Sequence, residues 1–285
     1  MNTLLCLGFG YCAEALARRL PANGNWRITG TARTPGGAKA IAAKSFEGLV
    51  FDGATIDASL EKAILQATHI LVSAPPDADG DPVLRACQAH ILASKSLTWL
   101  GYLSTIGVYG DSGGAWVDED TPPRPTHERA ARRLAAESSW IGQGAQIFRI
   151  AGIYGPGRNA LADLREGTAR RIVKPGQVFN RIHVEDIAQC LDLATRNGRA
   201  GRVYNLTDDE PASPEAVIIE AARLLGLPPP AAIPFERAEL SPMAASFYTD
   251  NRRVRNDRIK TELKVSLRYP SYHEGLAGLL AEINR

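Results

Sequence analysis

Two glycines near the start of the chain stand where an apolar run changes into a segment with helical spacing. The run is Leu4-Leu5-Cys6-Leu7, and the sequence continues as Gly8-Phe-Gly10-Tyr-Cys-Ala13. Gly8 permits a tight turn, Gly10 lets the backbone approach a pyrophosphate, and Ala13 lets the helix pack closely on the strand. A helix that begins here also offers unpaired N–H groups to an anion. We therefore expect a dinucleotide to contact Gly8, Gly10, Tyr11, Cys12 and Ala13. A glycine-rich turn before an ordinary helix is the alternative.

The second predicted strand, Trp26-Arg-Ile-Thr-Gly-Thr-Ala-Arg33, ends without an acidic residue. A dinucleotide fold that prefers NAD usually has Asp or Glu here, because a carboxylate accepts hydrogen bonds from the ribose 2′-hydroxyl. A guanidinium instead pairs with a 2′-phosphate, which a carboxylate would repel. Arg33, with Thr31 and Thr34 beside it, therefore predicts NADP as the cofactor and makes NAD the less favoured one. A solvated loop arginine is the alternative.

Further cofactor contacts are expected where two other strands leave the sheet. His69-Ile-Leu-Val-Ser73 ends abruptly in Ala74-Pro75, and ligands of open parallel sheets bind at such carboxyl ends. We expect Ser73, Ala74 and Pro75 to line the cofactor site. Asp52 and Gly53 follow the third strand and are placed to meet the adenine, although an Asp in this position also commonly caps a helix.

These residues need a sheet to position them, and strands alternate with helices over about the first 150 residues. Strands are predicted near 3–7, 26–31, 48–51, 69–73, 98–103 and 146–150. Helices are predicted near 11–20, 36–43, 57–66, 80–92 and 125–142, and later near 160–167, 183–194, 214–225 and 271–283. The alternation is typical of an α/β fold with a doubly wound parallel sheet, the Rossmann fold.

After about residue 150 this rhythm weakens, although Val203-Tyr-Asn-Leu206 is a further predicted strand. We therefore predict an NADP-binding Rossmann domain formed by residues 1–152 plus 182–206. A smaller C-terminal subdomain on the substrate side is predicted from residues 153–181 plus 207–285.

The composition is that of a globular protein with a large core. The 285 residues are 45% hydrophobic and 22% charged, and the net charge of +2 does not favour nucleic acid or a membrane as partner. No apolar stretch is long enough to span a bilayer, and the N-terminus lacks the order of a signal peptide. Four cysteines without CxxC spacing suit a reduced, cytoplasmic protein, and no metal-ligand spacing is present. We expect a small-molecule substrate and a monomer or homodimer.

Four further motifs give nearly the whole chain a family resemblance. They are Leu103-Ser-Thr-Ile-Gly-Val-Tyr-Gly-Asp111, Phe148-Arg-Ile-Ala-Gly-Ile-Tyr-Gly-Pro156, His183-Val-Glu-Asp-Ile-Ala188 and Tyr269-Pro-Ser-Tyr-His-Glu-Gly-Leu276. With the glycine turn they resemble the extended short-chain dehydrogenase/reductase superfamily, the NAD(P)-dependent epimerase/dehydratase group, and within it the small YeeZ-like bacterial proteins. The resemblance implies an NAD(P)-dependent oxidoreductase or an epimerase/dehydratase.

The resemblance also implies catalytic groups, and two of them are missing. A Ser or Thr should polarise the substrate oxygen, and Thr105 matches that position, with Ser104 beside it. A Tyr should transfer the proton and a Lys four residues later should lower its pKa, but these positions hold Arg129 and Arg133. Arginine only donates hydrogen bonds and stays charged, so Arg129 cannot relay a proton. At this spacing both guanidiniums share one helix face, either as an anion-binding wall or as a solvated basic stripe with Arg132.

Other polar residues are candidates for contact with the substrate. Tyr109 and Tyr154 are phenols at the carboxyl edge, where they are either alternative proton donors or packing residues. Arg158 and Arg181 lie in substrate-side segments and could hold a phosphate or carboxylate. A later basic cluster is interpreted as a solvated face: Arg252, Arg253, Arg255 and Lys260.

The expected function is an NADP-dependent oxidoreductase or epimerase-like activity on a small, anionic substrate, without the usual Tyr–Lys pair. The alternative is a protein that binds NADP(H) without turnover, as a sensor or interaction module.

Overall fold

Strands and helices alternate through most of residues 1–283, the part of the chain that the computed structural model describes. The strands there are β1 (Asn2–Leu7), β2 (Trp26–Ala32), β3 (Glu47–Val50), β4 (His69–Val72), β5 (Trp99–Thr105), β6 (Trp116–Val117), β7 (Gln146–Ile150), β8 (Gly152–Tyr154), β9 (Arg171–Val173), β10 (Arg181–His183), β11 (Val203–Leu206), β12 (Ala232–Pro234) and β13 (Arg253–Val254). The α-helices are α1 (Tyr11–Arg19), α2 (Pro35–Ala42), α3 (Ala58–Gln66), α4 (Pro82–Ala93), α5 (Glu128–Gly142), α6 (Ala160–Arg165), α7 (Val184–Asn197), α8 (Pro214–Leu225), α9 (Pro242–Ser246), α10 (Asp257–Glu262) and α11 (Tyr272–Ile283). Short 3-10 helices lie at Leu20–Asn23, Ile106–Tyr109 and Phe235–Arg237.

The main sheet is parallel, with seven strands in the order β11-β7-β5-β4-β1-β2-β3. Leu4 of β1 lies opposite Ile28 of β2 on one side and opposite His69 of β4 on the other. The chain builds outward from β1 to β3 and then returns to add β4, β5, β7 and β11 on the other side of β1. This order confirms the predicted doubly wound α/β fold. The reversal between β1 and β4 opens a crevice at the carboxyl ends of the strands, where ligands of such sheets bind.

Helices cover both faces of the sheet, so its central strands are buried on both sides. Every residue of β4 and β7 is buried. One buried cluster contains Leu16 of α1 and Leu191 of α7, and a second contains Ile64 of α3 and Trp140 of α5. Burial on both faces explains why these strands are continuous apolar runs in the sequence rather than alternating ones.

A third buried cluster lies among α6, α8 and α11 and includes Leu161, Ala221 and Leu276. Short parallel strand pairs occur outside the main sheet: β8 with β10, β9 with β12 and β6 with β13. The sequence predicts no strands in these segments, because strands of two or three residues are too short to show a periodicity. The assignment of residues 153–181 plus 207–285 to a separate subdomain stays a prediction.

Helix α5, which carries Arg129 and Arg133, begins at Glu128 rather than near residue 125 as predicted. Thr126 Oγ1 donates to Asp250 Oδ1 at 2.7 Å, and His127 Nε2 lies 2.8 Å from Thr249 Oγ1, so tertiary hydrogen bonds hold the residues just before the helix. The later start places both arginines in the first two turns of the helix.

Along residues 1–283, no helix has both the length and the apolar character that a membrane span requires. The same residues contain no group of three His, Cys, Asp or Glu side chains arranged to hold a metal ion. All cysteines are buried and free: Cys6, Cys12, Cys87 and Cys190.

Candidate active site

The glycine turn is held between three strands of the main sheet. Gly8 has φ +94°, and a Cβ there would lie 2.9 Å from both the Ala74 nitrogen and Ser73 Oγ. Its N–H donates to Thr31 Oγ1 at 2.8 Å, and Ser73 Oγ donates to its carbonyl at 2.6 Å. Only glycine fits this position, because the backbone is left-handed and the neighbouring strands are in contact with it. The hydroxyls of Thr31 and Ser73 thus shape the turn.

The first turn of α1 faces the crevice. Gly10 precedes the helix without a side-chain cap, and a Cβ on Gly10 would project into open space. The free N–H groups at this end can therefore meet a diphosphate, as the glycine spacing predicts. Tyr11 donates its hydroxyl to the Pro156 carbonyl at 3.0 Å. Burial raises the pKa of Cys12 to about 11, so its thiol is protonated at neutral pH. These features fit a bound dinucleotide.

Most of the predicted site residues line one cleft of about 1130 Å³ at the carboxyl edge of the sheet. They are Gly10, Tyr11, Cys12, Ala13, Ser73, Pro75, Ser104, Thr105, Arg129, Arg133, Tyr154, Arg158 and Arg181. Residues from the first 75 positions and from positions beyond 100 therefore meet in one space, as a cofactor and a substrate must.

The other predicted residues lie outside this lining: Gly8, Thr31, Arg33, Thr34, Asp52, Gly53, Ala74 and Tyr109. Arg33 is exposed after β2, and no carboxylate of residues 1–283 forms an ion pair with it. Thr34 Oγ1 accepts from the Gly37 N–H at 3.2 Å and caps α2.

Asp52 forms a turn with the residues that follow it. Its Oδ1 accepts from the N–H groups of Thr55 and Ala54 at 2.8 and 2.9 Å. These backbone N–H groups hold the pKa of the Asp52 carboxyl below its usual range. Gly53 has φ +102° in the same turn. The turn accounts for the Asp52 side chain without an adenine, so the adenine contact stays a prediction.

Thr105 and Ser104 differ in what their hydroxyls can do. Ser104 is buried and donates to Glu137 Oε1 at 2.5 Å. Thr105, at the end of β5, accepts from the Gly107 N–H at 3.0 Å and lines the cleft. A hydroxyl carries one proton, and Ser104 has already committed its proton to Glu137. Thr105 is the one of the two that can donate to a substrate oxygen.

Arg129 and Arg133 both line the cleft, whereas Arg132 does not. The Arg129 guanidinium lies 5.5 Å above the Phe247 ring. Arg133 Nη1 donates to the Leu103 carbonyl at 2.8 Å. Arg132 forms an ion pair with Glu128, but no carboxylate in the described part of the chain lies within ion-pair distance of Arg129 or Arg133. This arrangement favours an anion-binding wall over a solvated stripe.

The tyrosines near this wall are poor proton donors. Arg133 Nη1 also donates to the Tyr102 hydroxyl at 3.2 Å, but Tyr102 is fully buried behind the cleft, and burial raises its pKa. Tyr154 lines the cleft, yet its hydroxyl donates to the Ser271 carbonyl at 3.3 Å, and burial raises its pKa well above the usual value.

Tyr109 does not fit the predicted contact with a substrate. It is buried, does not line the cleft, and donates its hydroxyl to Asn205 Oδ1 at 2.8 Å. The Arg149 guanidinium lies 4.8 Å above its ring, and burial raises its pKa to about 12. Tyr109 is therefore a packing residue, the alternative that the Tyr-Gly pair left open.

The C-terminal part supplies cleft residues that the sequence does not predict, among them Tyr248, Asp250 and Arg252. The interpretation of Arg252 as part of a solvated face is wrong. It is partly buried and donates to Asp250 Oδ2 at 3.0 Å and to the Gly110 carbonyl. Its partner Gly110 is 142 residues away in the chain, so no local pattern could reveal this position.

The comparisons with known proteins agree with this geometry. Residues 4–93 match the family model of the saccharopine dehydrogenase NADP binding domain. The chain is 28% identical over 261 residues to Protein YeeZ of Escherichia coli K12, a match that covers 81% of this chain and 86% of YeeZ. It is 29% identical over 208 residues to a 3-diazoavenalumate denitrifying reductase of a Streptomyces species, covering 67% of this chain and 66% of that protein.

Several solved structures match the whole of this chain, among them the following two. One is a functionally unknown conserved protein from Silicibacter pomeroyi, 49% identical with a TM-score of 0.90 and also matched over its full length. The other is a dTDP-glucose 4,6-dehydratase from Bacillus anthracis in complex with NAD, 17% identical with a TM-score of 0.78 over 96% of that chain. The second likeness concerns the fold.

The glycine turn, the uncapped helix and the matched NADP-binding domain together indicate a nicotinamide dinucleotide as cofactor. The protein is thus of the NAD(P)-dependent oxidoreductase type. By its motifs, fold and relatives, the chain is a YeeZ-type protein that resembles the extended short-chain dehydrogenase/reductases.

Proposed function

We propose that this protein is an NADP(H)-dependent oxidoreductase that acts on a small anionic substrate without a Tyr–Lys proton relay. One observation carries the proposal: the dinucleotide turn, the Thr105 hydroxyl and several arginines line a single cleft. Among residues 1–283, Arg129, Arg133, Arg158 and Arg181 have no carboxylate within ion-pair distance. Cations left unpaired around a cleft favour an anionic ligand.

The bound cofactor would supply the hydride, which is the difficult chemistry. Thr105 would donate a hydrogen bond to the substrate oxygen. The fixed charges of Arg129 and Arg133 would stabilise negative charge as it develops there, because preoriented donors and cations stabilise a transition state. Arginine cannot release a proton. Any proton that the product needs would therefore come from water rather than from these side chains.

The preference for NADP over NAD is part of the proposal. It is supported by Arg33, which is exposed, unpaired among the described residues and placed at the end of β2 where the ribose of a dinucleotide lies. The absence of an acidic residue at that strand end removes the group that would favour NAD.

The test is a panel of reductase and epimerase assays. The reductase assays follow the change in dihydronicotinamide absorbance, and the epimerase assays follow the conversion of substrate into product. We compare wild type, Thr105→Ala, and the double variant Arg129→Tyr with Arg133→Lys, with Ser138→Ala on the exposed side of α5 as control. Removing a donor to a developing oxyanion costs about 10²–10³-fold in rate. The Thr105→Ala variant should therefore lose most of its activity, and the Ser138→Ala variant should keep the activity of wild type. Wild type should not turn over nucleotide sugars or simple alcohols. Any turnover of these substrates should occur only in the double variant. Robust wild-type activity on a nucleotide sugar would overturn the proposal.

A non-catalytic NADP(H) sensor is the second candidate, and a specific observation favours it. Arg133 is already bound to the Leu103 carbonyl, and neither Tyr102 nor Tyr154 has a hydroxyl ready to transfer a proton. Tight NADPH binding together with no turnover of any substrate in the panel would support this alternative.

A further inference from the structure

Arg181 is a cation for which the cleft shows no partner. It is partly buried on β10, where burial lowers its pKa. Its Nη1 donates to the carbonyls of Phe179 and Ala212 at 3.0 and 3.1 Å. No carboxylate within residues 1–283 lies within ion-pair distance of it. Asp208 acts on it from further away, and burial raises the pKa of that carboxyl well above its usual range.

Removing a guanidinium from water costs free energy unless hydrogen bonds or an opposite charge compensate for the lost hydration. Backbone carbonyls satisfy only Nη1, and within the described chain Nε and Nη2 of Arg181 have no hydrogen-bond partner. Because Arg181 lines the cleft, these atoms are available to an anion that enters from it. An anion with two oxygens can accept both bonds, which is the geometry that arginine favours.

One aromatic ring lies against this arginine, and further rings pack on that ring. Its guanidinium lies 5.8 Å above the Phe179 ring, which meets the Tyr248 ring edge-on at a centroid distance of 5.1 Å. The Phe235 ring packs on Tyr248 at 5.1 Å. The same cleft is also lined by apolar residues, among them Ile153, Ile172, Val178, Leu240 and Met243, together with polar ones such as Asn180 and Asp250. A flat ring gains the most from such a wall, because aromatic side chains bind rings edge-to-face or offset.

This wall is tied into the fold rather than formed by a free loop. Gln177 Nε2 donates to the Asp250 carbonyl at 2.8 Å, and Asn180 Nδ2 donates to the Arg252 carbonyl at 3.0 Å. The Val178 N–H donates to Asn251 Oδ1 at 3.2 Å. These bonds hold the Phe179 and Tyr248 segments together, so the pocket is formed before a ligand arrives.

We propose that Arg181, Phe179 and Tyr248 form an aryl-carboxylate subsite, which binds the substrate as a planar aromatic carboxylate. The carboxylate pairs with Arg181 and the ring packs on Phe179 and Tyr248. This inference rests on the proposed function and names its substrate class. A diphosphate fits less well, because Arg252, the neighbouring cation, is already paired with Asp250, and an apolar wall disfavours a multiply charged group.

The test measures binding by isothermal titration calorimetry to protein saturated with NADP⁺. The probes are trans-cinnamate, its neutral amide cinnamamide, the non-aromatic hexanoate and the nucleotide UDP. A charged hydrogen bond contributes about ten-fold or more in affinity. Cinnamate should therefore bind at least about ten-fold more tightly than cinnamamide, and also more tightly than hexanoate and UDP.

The variants are Arg181→Met, Phe179→Leu and, as a matched control, Arg165→Met on the exposed surface of α6. Arg181→Met should lower the affinity for cinnamate about ten-fold or more, and Phe179→Leu should lower it several-fold. Arg165→Met should bind like wild type. Unchanged cinnamate affinity in Arg181→Met, or UDP binding more tightly than cinnamate, overturns the subsite. If Arg181→Met does not fold, the comparison of cinnamate with cinnamamide on wild type still decides the question.

Failure of the proposed function would be distinguishable from failure of the subsite. NADPH binding and hydride transfer are measured separately, by fluorescence and by absorbance. If NADPH does not bind, the proposed function fails, and cinnamate titrated into cofactor-free protein still tests Arg181. If NADPH binds and cinnamate does not, only the subsite is wrong.

Discussion

Arg129 and Arg133 stand where the family resemblance predicts a tyrosine and a lysine, and we expect an arginine pair to change how the cleft responds to pH. A phenol beside an ammonium group changes charge as it titrates, whereas a guanidinium stays charged throughout the physiological range. The positive charge of this wall is therefore constant. We expect the cleft to hold an anion over a broad pH range.

We propose that Arg33 decides the preference between the two nicotinamide cofactors. Replacing Arg33 by Ala should lower the affinity for NADPH about ten-fold or more and leave the affinity for NADH unchanged. The reason is that only NADPH carries the 2′-phosphate that the guanidinium can bind. Fluorescence titration of both cofactors measures this. The control is Arg27→Ala on the same strand, whose side chain pairs with Glu47 at 2.9 Å instead. Equal affinity of the wild-type protein for NADPH and NADH would contradict the prediction.

Among the elements, α5 is held to the sheet by a buried ion pair. Glu137 of α5 and Arg149 of β7 are 2.8 Å apart, with side chains only 1% and 5% exposed. Ser104 of β5 donates to the same carboxylate. This pair connects the helix that carries Arg129 and Arg133 to two central strands. It thereby sets the position of the anion-binding wall.

Strand β4 begins with a buried histidine, which makes stability depend on pH. His69 packs against Trp26 and Trp99 at centroid distances of 4.7 and 6.2 Å. Burial lowers its pKa from 6.5 to about 4. Between pH 6.5 and about 4, His69 is protonated in the unfolded chain but stays neutral in the folded chain. The stabilisation from the neutral ring is therefore complete above pH 6.5 and is lost as the pH falls to about 4.

The substitution His69→Phe should remove this dependence. Each pKa unit corresponds to about 1.4 kcal/mol, so between pH 7 and pH 4 wild type should lose roughly 3 kcal/mol more of its free energy of unfolding than the variant. Urea unfolding at a series of pH values measures the difference. An NMR titration in which the His69 ring changes protonation near pH 6.5 would contradict the prediction.

At the scale of the whole molecule, residues 248–254 join segments that are far apart in the chain. The Asn251 N–H donates to Asp111 Oδ1 at 2.8 Å, and its side-chain Nδ2 donates to the Gly176 carbonyl at 2.9 Å. Its Oδ1 accepts from the Val178 N–H. Asn251 thus joins the segment after β5 to the segment after β9, beside the half of the cleft that we propose binds the substrate.

Replacing Asn251 by Ala should loosen this half of the cleft and leave the cofactor half intact. Losing two hydrogen bonds should lower the free energy of unfolding by about 1–3 kcal/mol. Hydrogen exchange at the Val178 amide should accelerate, while NADPH affinity stays that of wild type. In the control Asn197→Ala, which removes a bond to the Leu263 carbonyl, exchange at Val178 should be unchanged. Uniform acceleration across the whole chain in Asn251→Ala would show that the connection is not local.

The sequence by itself determined the sheet, the order of its early strands and helices, and the dinucleotide turn. These features depend on neighbours a few residues apart, such as the apolar run before Gly8 and the glycine spacing that follows it. Local patterns of this kind are visible in the chain because strand burial and helix starts depend on local chemistry. The family motif also predicts that Arg129 and Arg133 stand in place of the Tyr and Lys, and this stays a prediction.

Only the tertiary structure decided which polar residues face the cleft. It buried Tyr109 against Asn205, bound Ser104 to Glu137, and placed Arg252 in the cleft lining although the sequence suggested a solvated face. It also joined Arg181 and Phe179 to Tyr248 as one subsite. The bonds that make these arrangements connect residues separated by tens to more than a hundred positions, such as the 72 between Asn180 and Arg252. Such contacts follow from how strands and segments pack in space, and that packing leaves no periodicity in the chain.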